Sequence, residues 1–226
     1  MSATTAYQNR LKAIRLQTSR AVAAEWDLLD DYHQEAAEPF ARKVTPIVAA
    51  GQMMAARTTN AYVSRLARIQ PVRLTPAMVT GRGARNVDPL EEYRRPFGEV
   101  WSALGAGVPL DVAADRGRNR LNVLAVADVW LASRAATAVI DQASAKITGW
   151  VRVADAGACD LCSAADGMPM TQAADLAGHP GCGCTSEPTF AQTPDSAPAD
   201  ESAIAVHEND ETGPVLYQAG QSFAHA

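Results

Sequence analysis

The hydrophobic period of this chain changes once, and that change limits its fold more than any other feature. Up to about residue 145 apolar residues recur at helical spacing, whereas Ile147, Val151 and Val153 alternate with Thr148, Trp150 and Arg152. The first pattern predicts a bundle of long helices and the second a strand. Tyr7, Leu11, Ile14, Val22, Trp26 and Leu29 describe one amphipathic helix from about Thr5 to His33. A second stripe runs from Phe40 through Val44, Ile47, Gly51, Met54, Thr58, Tyr62 and Leu66 to Ile69. Its expected start is near Pro39, Pro46 should kink it or mark its true start, and Pro71 should end it. Residues 72–87 carry Pro76, Gly81 and Gly83 and read as a loop. Asp88-Pro-Leu-Glu91 then has the form of a capping box, opening a helix that Pro96 interrupts and that Gly105 and Gly107 stop. From Leu110 to about Ala145 a fourth helix is apolar on more than one face beyond Leu121, as expected of a central element.

Composition supports this. Only 6% of the 226 residues are aromatic while 47% are hydrophobic, which favours helices over an all-β sandwich and gives enough apolar surface for a core. The run Leu121–Ile140 contains Asn122, Asp128, Ser133 and Arg134, each costly in hydrocarbon, so it reads as a core helix rather than a membrane span. Arg10, Lys12, Arg15 and Arg20 likewise interrupt the opening segment where a signal peptide would need an apolar stretch. Asp128 and Arg134 read as structural pairs or a surface stripe. The net charge of −5 argues against a nucleic-acid coat protein, but charge is unevenly spread. From Ser186 onward there are seven carboxylates and no Lys or Arg, leaving residues 1–185 at +2. That segment, rich in Pro and poor in large apolar residues, is expected to be mostly disordered. Between Arg57 and Arg95 eight Arg face three carboxylates, a solvated face or a patch for an acidic or phosphate partner.

All four cysteines fall within 26 positions, as Cys159-Asp-Leu-Cys162 and His179-Pro-Gly-Cys182-Gly-Cys184. A Cys-x2-Cys knuckle turns two thiolates toward one ion, and the second half returns an imidazole and two more sulfurs. The expectation is one structural Zn²⁺ per chain, held by Cys159, Cys162, His179 and one of Cys182 or Cys184. Two disulfides, or four unliganded thiols, are the alternatives. No carboxylate adjoins His179 to act as a base, which speaks against a catalytic metal. No phosphate loop, dinucleotide fingerprint, G-x-S-x-G or His-Glu-x-x-His is present, and His33, His207 and His225 read as solvated. The fold class expected is mainly α. A helical domain over 1–145 precedes a small β-rich zinc-knuckle module over 146–190 and an acidic disordered tail over 191–226.

One further pattern is informative. The run Trp150-Val-Arg-Val-Ala-Asp155, Cys159-x-x-Cys162, His179-Pro-x-Cys182-x-Cys184 and Glu187-Pro188 resembles the C-terminal module of the phage Mu F-like head morphogenesis proteins. These are also called minor capsid proteins, and the likeness is greatest to those of actinobacterial phages. The segment from Tyr93-Arg-Arg-Pro-Phe97 through the long apolar helix is similar as well. One departure is the short insertion between the two halves, with Gly167, Met168, Pro169 and Met170, where many relatives carry a longer or basic one. The resemblance implies a virion component inside the head near the portal, present in the host cytoplasm during assembly and not in a membrane. Its implied partners are the portal protein, the major capsid or scaffold protein and packaged DNA. Its implied role is to assist procapsid assembly and DNA packaging or delivery without catalysis. The alternative is a capsid maturation protease, a description given to some proteins at this genome position.

Overall fold

In a computed structural model, the described residues are 2–173, 176–179, 181–190, 204–207 and 215–218. They form a mainly helical molecule. Helix α1 spans Ala3–Trp26, with the Ser2 hydroxyl accepting from the Thr5 amide at 3.0 Å as its N-cap. It stops seven residues earlier than expected. Leu29 and Tyr32 continue the apolar stripe but lie in the turn, where Tyr32 packs on Trp26 with ring centroids 5.1 Å apart.

Helix α2 spans Gln34–Ala67 and runs through both Pro39 and Pro46. It therefore starts before Pro39 and is not divided at Pro46. Packing outweighs the lost hydrogen bonds: Phe40, Val44 and Val48 are buried against Trp26 and Phe97. Burial of such side chains stabilises by about 1.5–3 kcal/mol each, comparable to the cost of an interior proline. The helix ends at Arg68, in the left-handed region, three residues before Pro71.

The expected loop over 72–87 contains two single-turn helices, α3 (Pro76–Val79) and α4 (Arg82–Arg85). Asp88 then caps α5 (Pro89–Glu92), accepting from the Leu90 amide at 2.9 Å. The Glu91 amide, three residues on as in a capping box, also interacts with the Asp88 carboxylate, less strongly than Leu90 does. Helix α6 (Arg95–Gly105) follows with Pro96 in its first turn. Helix α7 (Leu110–Ala143) is long and apolar enough to cross a membrane, but in this fold it is the central helix. Gly117 lets it sit close to its neighbours, because a Cβ there would come within 2.6 Å of both Trp26 and Val100.

Asp128 of α7 is buried and paired. Arg85 Nε lies 2.6 Å from its Oδ1, and the Tyr93 hydroxyl donates to its Oδ2 at 2.6 Å. Arg85 also meets Glu92 at 3.3 Å, and Glu92 meets Arg95 at 3.1 Å. Burial opposes the charge on Arg85, but Asp128 and Glu92 outweigh it and raise its pKa. Arg134 is also buried, its guanidinium 4.7 Å from the centroid of the Trp130 ring.

After α7 the chain forms a three-stranded antiparallel sheet in the order β2-β1-β3, from β1 (Gly149–Val153), β2 (Pro169–Met170) and β3 (Thr185–Thr189). Trp150 faces Met170 on one side and Pro188 on the other. Both prolines of the sheet lie on edge strands, where a missing amide is tolerated. The short helix α8 (Asp160–Ala164) lies between β1 and β2. The sheet shares a core with the bundle, in which Trp150, Met170 and Leu176 pack with Tyr7, Leu11, Tyr62 and Ile140. Polar contacts reinforce it. Gln8 donates to the carbonyls of Val153 and Ala154, and Thr4 donates to Glu187 at 2.8 Å. Asp141, near the end of α7, accepts from the Trp150 indole at 2.9 Å and the Ala173 amide at 3.1 Å.

The expectation of disorder over 191–226 lies mostly outside the described residues. Within that segment β4 (Ile204–His207) and β5 (Val215–Gln218) pair antiparallel, so these two runs depart from it. They are its richest in β-branched and aromatic residues.

Candidate metal centre

The two halves of the cysteine pattern are brought together by the local structure the sequence dictates. Cys159 occupies the N-cap position of α8 and Cys162 lies in its first turn, so a single turn of helix presents both sulfurs. The return half closes through a turn in which the Cys182 amide donates to the His179 carbonyl at 3.0 Å. Gly181 takes a φ of +81° there, a left-handed conformation that accounts for glycine before Cys182. Gly178 passes over Trp130 so closely that a Cβ would sit 2.3 Å from the indole ring.

All five expected ligands converge, as two triads that share Cys162. In the first, His179 Nε2 lies 3.4 Å from Cys159 Sγ and 3.0 Å from Cys162 Sγ. In the second, Cys162 and Cys182 sulfurs are 3.8 Å apart, with Cys184 completing a group whose atoms all lie within 4.8 Å. For comparison, Zn–S bonds of about 2.3 Å give a tetrahedral S–S edge of about 3.8 Å. Cys162, Cys182 and Cys184 are buried, Cys159 is exposed, and all four are free thiols rather than disulfides. These side chains are close enough together to bind a metal ion.

Arg152 is the residue the sequence reading missed. The alternation correctly marks a strand, but hydrophobicity suggests the wrong buried face: Trp150 and Arg152 point inward, while Val151 and Val153 are half-buried. The Arg152 guanidinium donates to Cys162 Sγ at 3.3 Å, to Cys182 Sγ at 3.6 Å and to the Ala177 carbonyl. Among the described residues no carboxylate forms an ion pair with it. Burial opposes its charge, and Cys184, Cys182 and Cys162 outweigh that and raise its pKa. The sulfurs are polarised in turn. Hydrogen bonds from Cys162 and Cys184 lower the pKa of Cys182 strongly, while the Cys182 neighbour and burial raise those of Cys162 and Cys184. A cationic side chain resting on sulfurs fits a donor set of thiolates, which is the form that ligates metal. Outside the sheet, Arg15 of α1 donates to the Cys182 carbonyl at 2.6 Å and Trp130 of α7 to the Cys184 carbonyl at 3.3 Å. A buried polar residue on a helix gives no sequence signal of such a role.

The remaining candidates lie apart from this centre. The basic stretch divides in two: Arg82, Arg85, Arg94 and Arg95 are in ion pairs, whereas Arg57, Arg65, Arg68 and Arg73 are exposed and in none among the described residues. His33 is exposed at the N-cap of α2, the side chain of His207 is not described, and His225 lies outside the described residues. No protein family, curated protein or solved structure matches this chain.

Proposed function

We propose that the C-terminal sheet is closed by one Zn²⁺ on Cys159, Cys162, His179 and Cys182, and that the chain is a non-enzymatic phage head assembly protein. The observation that carries the metal reading is Arg152, a buried cation whose counter-charge among the described residues is sulfur. Cys182 is favoured as fourth ligand over Cys184 because its sulfur lies at a tetrahedral-edge distance from Cys162. Cys184 then supports Cys182 from beside it. Zinc would supply a cross-link between α8 and the turn before β3, with no position left open for substrate. That favours a structural role over a catalytic one.

The phage assignment rests on the resemblance of Trp150–Asp155, the Cys/His pattern and Glu187-Pro188 to the Mu F-like proteins. On this reading the chain acts in the virion, inside the head near the portal, and assists procapsid assembly and DNA packaging or delivery. The portal, the capsid or scaffold protein and packaged DNA are its partners, and the exposed Arg57, Arg65, Arg68 and Arg73 suit the last of these. Two measurements test the proposal. Metal analysis of protein purified without chelator should give about one zinc per chain, lost in Cys162→Ser; zinc-free folded protein would refute the metal reading. Incubation with procapsids should give co-sedimentation without cleavage. Scaffold cleavage abolished by a single Ser or His substitution would instead establish the maturation protease.

A further inference from the structure

Nine large apolar side chains are exposed among the described residues, and three of them, Trp101, Leu104 and Leu110, line one cleft. Trp101 and Leu104 lie on the last turns of α6 and Leu110 on the first turn of α7, across from the turn between α1 and α2. These three are between 39% and 55% exposed and share one cleft, unlike the scattered surface residues any protein shows. The two sides are joined by the Trp101 indole, which donates to the Tyr32 carbonyl at 2.6 Å. Between them lies a cleft of about 380 Å³ whose walls include Trp101, Leu104, Leu110 and Tyr32. Its rim is acidic: Asp30 and Asp31 line it, and Asp111 follows Leu110. None of these three is in an ion pair among the described residues, and the nearby Arg118 is occupied by Asp27 at 2.8 Å.

We infer that this cleft is a docking site for a basic amphipathic helix of a partner protein. The apolar floor takes the partner's Leu- or Phe-type face, and the three carboxylates, of which Asp31 already accepts from the His33 amide at 3.1 Å, take flanking Lys or Arg. Charge decides against a second copy of this chain as occupant, since a symmetric pairing through the same face would set Asp30, Asp31 and Asp111 against themselves. The inference does not depend on the metal reading or on the phage assignment. No cysteine or metal ligand contributes to the cleft.

Anisotropy titration of the full chain with a labelled helical peptide of Leu and Lys, in amphipathic order, tests it. A Leu/Glu peptide of the same pattern is the control. The Leu/Lys peptide should bind and the Leu/Glu peptide should not. Leu104→Ser combined with Leu110→Ser, and separately Asp30→Asn combined with Asp31→Asn, should each weaken binding roughly tenfold or more. Glu91→Gln, an exposed carboxylate elsewhere, should leave it unchanged. All these positions are exposed, and circular dichroism checks that the variants fold. Binding that survives both double substitutions overturns the inference, as does equal binding of the two peptides. So does a dimer, detected by sedimentation, that disappears in the Leu104→Ser/Leu110→Ser variant.

Discussion

Arg85 in the helical bundle and Arg152 in the C-terminal sheet are both buried, yet they are kept charged by different means. Arg85 has two carboxylates, Asp128 and Glu92, with the Tyr93 hydroxyl completing the network. Those counter-charges are carboxylates of the chain itself and need nothing from outside it. Arg152 has sulfurs, which supply full counter-charge only as thiolates. The bundle is thus electrostatically self-sufficient, whereas the sheet is complete only under conditions that keep its cysteines deprotonated. Metal is the most effective such condition at neutral pH.

The comparison breaks most severely if the metal is removed. Chelation, or Cys162→Ser, should destabilise the sheet by several kcal/mol, on the order expected when a structural zinc is lost. Limited proteolysis followed by mass analysis should then cut within 150–190 while circular dichroism keeps most of the helix signal. A sheet equally protected with and without metal would overturn the distinction. Cys159→Ser should do less, because that sulfur is exposed and belongs to one triad only.

Exchanging the arginines should separate the two regions. Arg85→Met leaves Asp128 without its buried partner and should cost about 3–5 kcal/mol in denaturant unfolding, with metal content unchanged. Arg152→Met should leave the bundle in place and lower metal affinity roughly 10–100-fold, measured by competition with a chelating dye. If Arg152→Met bound metal as well as the parent, the sulfurs would not need its charge.

The smallest effect concerns pH. The Tyr7 phenol is pushed up to about 12 by burial, against the opposing hydrogen bond with Thr59. In an unfolded chain it titrates near 10, so its stabilisation is complete below about pH 10 and is lost as pH rises through about 12. Tyr7→Phe should flatten this alkaline limb by at most about 3 kcal/mol. The acid limb, where protons displace metal from thiolates, should not move. An acid limb altered by Tyr7→Phe would mean that the two regions do not titrate separately.

The long helices were legible because burial on one face leaves a repeat that survives any detail of packing. What misled the reading were residues whose local preference was overridden. Leu29 repeats as a helix would but packs from a turn, and Pro39 and Pro46 sit inside α2 because its apolar face is held by Trp26 and Phe97. The cysteine pattern was legible for a related reason, since Cys-x2-Cys and Pro-Gly encode the knuckle and the turn locally. Arg152 and Arg15 were not. Their roles come from which face of β1 turns inward and from α1 lying against the sheet, and neither is written in short-range spacing.

The contacts of α1 with the sheet also set an order of events in synthesis. Thr4 meets Glu187 and Gln8 meets Val153, Ala154 and Thr185, pairs separated by 145 to 183 residues. Helix α1 therefore waits for segments made some 145 to 183 residues later before these polar groups find partners. Closing so long a loop is slow compared with forming helices. The bundle's helices can assemble during translation, but α1 is sealed only once the sheet has been made. A truncated chain lacking the sheet would carry Thr4, Gln8 and Arg15 without the partners described above, and so would remain distinguishable from a finished molecule.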